Sequence, residues 1–133
     1  MALGQVPPSR ELTLSGAGMS EYTDYLRDVF ELFGPITARR MFGGHGIYHD
    51  GLMFALVSDE TLYLKADDVN VGDFEQEGLG PFEYDKGGKV IQIAYYQAPE
   101  EIFEDRELAA DWARRSFDAA LRAQVGKRKP ARK

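Results

Sequence analysis

Residues 47–66 read IYHDGLMFALVSDETLYLKA, and this stretch decides the fold. Asp50-Gly51 is a two-residue hairpin signal between extended segments, because both positions accept the positive φ that a tight reversal needs. Leu52–Val57 is a short apolar run, and Ser58-Asp59-Glu60 punctuates it. Thr61–Ala66 follows, with Leu62 and Leu64 alternating with Tyr63 and Lys65. That period of two is the mark of a half-buried antiparallel strand.

Working outward, Ile36–Phe42 is predicted as an earlier strand, interrupted by Gly43-Gly44-His45-Gly46 before Ile47-Tyr48 resumes it. The glycine run is expected to form a bulge or tight bend between strands. Before it, Tyr22, Tyr25, Leu26, Val29, Phe30 and Phe33 recur at helical spacing, with Ser20 as the expected N-cap and Gly34-Pro35 as the stop. After Ala66, Asp67–Glu77 reads as a short acidic helix burying Val69, Val71 and Phe74. Phe82–Asp85 and Lys89–Tyr96 form another hairpin, turning at Lys86-Gly87-Gly88. Pro99 opens a short acidic segment. Glu107–Val125 is the longest predicted helix, with Leu108, Trp112, Phe117, Leu121 and Val125 toward the core and Gly126 as C-cap. The fold class is α+β. Its expected architecture is a two-layer α-β(3)-α-β(2)-α sandwich with a sheet of about five antiparallel strands, helices packed on it.

The chain has 133 residues and net charge −6, enough apolar content for a core, and no Cys. Disulfides, thiolate catalysis and Cys-ligated metals are therefore excluded. Its apolar runs are far shorter than the roughly 20 residues of a spanning helix, so a cytoplasmic location is expected. Three segments are expected: residues 1–18 as a disordered leader or upstream extension, 19–126 as the domain, and 127–133 as a disordered basic tail. The tail carries Lys127, Arg128, Lys129, Arg132 and Lys133, which leaves residues 1–126 with eleven bases against all 22 acids. A globule so acidic repels nucleic acid over most of its surface, and the tail would supply weak, salt-sensitive phosphate contacts.

No catalytic, cofactor-binding or metal-ligating set is legible. His45 and His49 have helical metal-pair spacing, but in a strand four residues span about 13 Å, too far for one ion. The glycine run lacks the following helix and Lys-Ser/Thr of a phosphate cradle. Ser15, Ser20, Ser58 and Ser116 lie in no nucleophile elbow. The acidic pairs do not follow a calcium-loop pattern. Arg39-Arg40 sits on a strand, so the two side chains point to opposite faces, and one of them could clamp a carboxylate or phosphate. Lys65 has the same two readings, ligand contact or internal ion pair. Tyr95-Tyr96 could stack on bases, but no basic residues interleave with it in the sequence.

The run from Gly34 to Tyr48, GPITARRMFGGHGIY, resembles the opening of the TfoX/Sxy N-terminal domain family. The resemblance continues through Asp50–Val57, Leu62–Asp67, Gly80–Tyr84, Tyr95-Tyr96 and Pro99, and into Leu108–Arg115. It implies α-β(3)-α-β(2)-α layers and a bacterial regulator of natural competence, acting on transcription with the cyclic-AMP receptor protein. The full-length proteins carry a further C-terminal helical domain. The family supplies no catalytic residues, and Arg39, Arg40, Gly43, Gly44, Gly46, Lys65 and Tyr95 are the matching positions, read either as a candidate interaction surface or as determinants of the fold. The first functional reading is a non-catalytic protein-interaction module linked to transcription. The alternatives are a weak nucleic-acid binder using the basic tail, and a small-ligand binder or enzyme with a pocket near Arg39 or Arg40. Edge strands and exposed aromatics would also permit a homodimer.

Overall fold

The computed structural model describes residues 14–41 and 43–131. The order is α1 (Leu14–Val29), β1 (Thr37–Met41), β2 (Gly44–His49), β3 (Leu52–Ser58), β4 (Thr61–Lys65), α2 (Val71–Gln76), β5 (Pro81–Lys86), β6 (Lys89–Gln97), a 3-10 turn (Glu100–Glu104) and α3 (Arg106–Ala131). One six-stranded sheet runs β1-β2-β3-β4-β6-β5, with every neighbouring pair antiparallel. The expected α+β layers are present, with six strands in place of about five. The extra strand comes from the glycine run. Gly43, at φ +76, sits in the reversal, and Gly44 already pairs with Met41, so His45 and Gly46 belong to β2.

The predicted turns fall where their residues allow. Asp50 and Gly51 adopt φ 50 and 79, and Gly87 and Gly88 adopt 60 and 86. Asp59 and Glu60, both at φ 56, make the same kind of reversal without glycine. After β4 the chain crosses through α2 to the outer strand β5 and returns as β6 against β4.

The described helices pack on one side of the sheet. Phe30 of the α1 exit meets Phe54 of β3, 5.7 Å between ring centroids, and Phe74 of α2 meets both Tyr96 and Trp112. Phe30, Phe54 and Phe74 are wholly buried. Four expectations need correction. Ser20 lies inside α1, which runs Leu14–Val29, so it is not the cap; the preference of serine for a cap is weak enough for the flanking helix to override it. Gly126 lies inside α3, where the surrounding helix formers outweigh the roughly 1 kcal/mol that a single glycine costs. Leu121 and Val125 are exposed, because α3 meets the sheet through the small stripe Ala109, Ala113, Ser116 and Ala120 beside Trp112. Val69 is 71% exposed in the turn before α2.

Ser116 is fully buried and its hydroxyl has no hydrogen-bond partner among the described residues. A buried polar group without a partner is a cost, and alanine is also the better helix former. Ser116→Ala is expected to raise stability by about 1 kcal/mol in urea unfolding; a loss of stability would contradict the stripe as described.

The entrance to α2 is built by Asp67 and Asn70. The Asp67 carboxylate accepts the backbone N–H groups of Val69 and Asn70 and receives a two-pronged bond from Arg122 of α3 at 2.6 and 2.9 Å. Buried Asn70 donates to the Lys65 carbonyl and accepts the Asp67 N–H. The Arg122 guanidinium, first among these partners, holds the Asp67 carboxyl below its ordinary value of 3.8. The native state therefore binds fewer protons there than the unfolded chain. The stabilisation is whole about a unit above the ordinary value of 3.8 and drains as pH falls through the lowered native value. Asp67→Asn is expected to cost about 1 kcal/mol at neutral pH, modest because the pair is partly exposed. The gap from wild type should stay constant above about pH 5 and shrink as pH falls through the lowered native value; a gap that does not shrink as the solution is acidified would refute the assignment.

Candidate functional site

The face of the sheet away from the helices carries the candidate site. Its layout depends on one bulge. The β2–β3 register passes from Ile47↔Ala55 to Tyr48↔Met53, leaving Phe54 as the extra residue. The bulge sends Phe54 into the core while Tyr48 and Met53 stay on the open face. Leu56↔Tyr63 and Lys65↔Tyr95 continue that face through β3, β4 and β6, and Phe82 and Tyr84 extend it on β5.

Five half-buried rings lie there. Tyr63 and Phe82 are 5.0 Å apart edge to face, and Phe82 and Tyr84 are stacked at 6.0 Å. The Arg39 guanidinium lies 4.9 Å from the centre of the Tyr48 ring, and the Lys65 ammonium 5.0 Å from that of Tyr95. Such cation–ring contacts hold the long side chains flat against the sheet. Burial, with a smaller contribution from nearby Tyr48, pushes the Tyr95 hydroxyl up to about 12. It therefore stays a neutral donor and adds no negative charge.

The charge distribution is one-sided. The six strands contain only two acids, Glu83 and Asp85, and these alternate with Phe82 and Tyr84, so they point to the other side. Glu83 accepts a bond from Gln92 there. Arg39, Lys65, Lys86 and Lys89 occupy open-face positions. A protein of net charge −6 thus keeps its carboxylates off the strand positions of this one face.

The residues singled out from sequence separate here. Arg39, Lys65, Tyr95 and Gly46 come together on the open face. A Cβ on Gly46 would meet the Sδ atoms of Met41 and Met53 and the Tyr48 ring, so Gly46 is the floor between them. Arg40 faces the other way, paired in register with His45, whose pKa is lowered by burial and then by Arg40. Gly43 is in the reversal, and Gly44 lies hard against the Val57 carbonyl, so both serve the backbone. Lys127, Arg128 and Lys129 fall within the bounds of α3, and Arg132 and Lys133 lie outside the described residues. His49 stands between the Phe33 and Phe117 rings and donates through Nδ1 to the Pro35 carbonyl at 2.6 Å. Among the described residues no group of three His, Asp or Glu could hold a metal ion, and no helix is long and apolar enough to cross a membrane. A cleft of about 300 Å³ lies on the helical side, lined by Asp67, Asp68, Val71, Pro81, Gln92 and Tyr96 among others, with two carboxylates and no cation.

Sequence reasoning passed over Tyr48, Tyr63, Phe82 and Tyr84. The signal was the period-two pattern of Tyr63/Lys65 and Phe82/Tyr84, but pairing across strands joins them.

Fold and face together define a two-layer α+β domain with one sheet side sealed by helices and the other uncovered by any helix among the described residues. The TfoX N-terminal domain family model matches residues 28–120. The chain belongs to that family. It is 29% identical over 89 residues to Protein Sxy of Escherichia coli strain K12, covering 67% of this chain and 43% of that protein. It is 28% identical over 88 residues to DNA transformation protein TfoX1 of Aliivibrio fischeri, covering 66% and 42%. The matched stretch thus spans less than half the length of these relatives.

Proposed function

We propose that this chain is a regulatory binding module of the competence type, not an enzyme, that acts on transcription in the cytoplasm by docking a macromolecule on the open face of its sheet. The observation that carries the reading is the concentration of rings and cations on a face whose strand positions carry no acid, in an acidic protein. Surfaces that bind macromolecules are enriched in Tyr, Phe, Met and Arg, and complementary charge sets their partner. The family membership and the likeness to a DNA transformation protein support the regulatory class. An anionic partner fits the face, and the partner first expected from the sequence is a protein of the transcription machinery or a regulator.

The test is a chromosomal Arg39→Glu, Lys65→Glu variant in the native host, compared by transcript profiling with wild type and with a strain lacking the chain. The variant is expected to reproduce the profile of the deletion at unchanged protein level. A wild-type profile in the variant would overturn the open face as the working surface. A deletion that changes no transcripts would overturn the regulatory role.

A further inference from the structure

We infer that the open face binds single-stranded nucleic acid, with bases stacked on Tyr63, Phe82 and Tyr84 and phosphates held by Arg39 and Lys65. The inference rests on the reading of this face as the docking surface and names its ligand class. Unpaired bases need flat rings presented broadside or edge-on at a surface, and a sheet bearing rings on alternate residues supplies them. Here three rings are in contact across β4 and β5, at centroid spacings of 5.0 and 6.0 Å. Beside them, two cations lie over two further rings at 4.9 and 5.0 Å. Such a composite offers stacking and a phosphate contact at one place.

The complement is as informative. The polyanion meets no carboxylate at the strand positions of this face, although the chain has 22 acids. A duplex fits poorly, because its bases are stacked on one another and a broad sheet face enters neither groove. An acidic peptide would use the cations but not a contiguous run of three rings. The Tyr95 hydroxyl, held protonated, is a further neutral donor beside Lys65.

The experiment is fluorescence anisotropy on the full chain with labelled 12-nucleotide DNA and RNA of mixed sequence, and with the DNA duplex, across a salt series. Single strands are expected to bind at least about tenfold more tightly than the duplex. Tyr63→Leu and Phe82→Leu, which keep apolar bulk while removing the ring, are expected to weaken binding about tenfold each. Arg39→Gln with Lys65→Gln should lower the slope of log affinity against log salt by about 1.4, the value for two lost phosphate contacts on a single strand. Tyr63→Phe, which retains a ring, should bind as wild type, and melting by circular dichroism identifies any variant that has lost its fold. Replacing the five bases of residues 127–133 by Gln should leave affinity within about twofold. Loss of binding with the tail variant alone, or equal affinity for duplex, overturns the inference. If no strand binds while Arg39→Glu, Lys65→Glu still abolishes regulation in cells, the inference falls and the docking surface stands, with a protein as its partner.

Discussion

Replacing Gly44 by alanine is expected to lower the melting temperature by about 10 °C. A Cβ at this position would lie 1.9 Å from the Val57 carbonyl oxygen and 3.2 Å from the Ser58 Cα. Both are backbone atoms of β3, which is paired with β2 on one side and β4 on the other. Neither can move without breaking a ladder. Overpacking costs about 1–3 kcal/mol, at the upper end where the obstacle is backbone that cannot move, and for a domain of this size each kcal/mol moves the midpoint by about 3–5 °C. Gly46 is the internal contrast. Its Cβ would meet the thioether ends of Met41 and Met53, which can swing aside. Gly46→Ala should therefore cost less than about 1 kcal/mol. Thermal melts of the two variants side by side decide the matter: equal midpoints would mean that the β2–β3 approach at Gly44 is not as close as described.

Phe54→Ala is expected to remove about 4 kcal/mol, a large share of the roughly 5–15 kcal/mol that holds a domain folded. Phe54 is wholly buried, and its ring touches Phe30 edge to face at 5.7 Å and Phe33 at 5.1 Å. It is also the bulged residue, so it ties the α1 exit to the middle of the sheet. Its loss leaves a cavity in the centre of the helix–sheet interface. Urea unfolding at pH 7 checks the value, and a loss below about 1.5 kcal/mol would mean that the neighbouring rings collapse into the space. Phe54→Leu should recover more than half of the loss.

The two variants probe the features that sequence conveyed least well. The apolar run Leu52–Val57 was legible as a strand, but nothing in it announces which residue is the bulge. Strict alternation from Ala55 would have put Phe54 on the open face and Met53 inside. The bulge reverses both, because Phe30 and Phe33 offer Phe54 a buried pocket that only the folded chain contains. Leu121 and Val125 misled for a related reason. Helical spacing identifies a face, but which face meets the sheet was decided by how closely α3 can approach. The small side chains of Ala109, Ala113, Ser116 and Ala120 won over larger apolar ones.

The candidate site shows the same division. Arg39, Lys65 and Tyr95 were visible as single residues, each with an uncommitted role. Tyr95-Tyr96 lacked interleaved bases in the sequence, and the structure divides the pair, Tyr96 against Phe74 in the core and Tyr95 under Lys65 outside. The interleaving exists in space, with the bases contributed by β1 and β4.

By itself the sequence determined the local features: the reversals at Asp50-Gly51 and Gly87-Gly88, the alternation of β4, and the antiparallel order that short turns impose. These depend on φ preferences and on a period of two, which a few neighbouring residues settle. The bulge, the face of α3 that is buried and the ring-and-cation surface were decided by the tertiary structure alone. Each depends on which side chains from distant segments compete for the same space, and no local pattern carries that information.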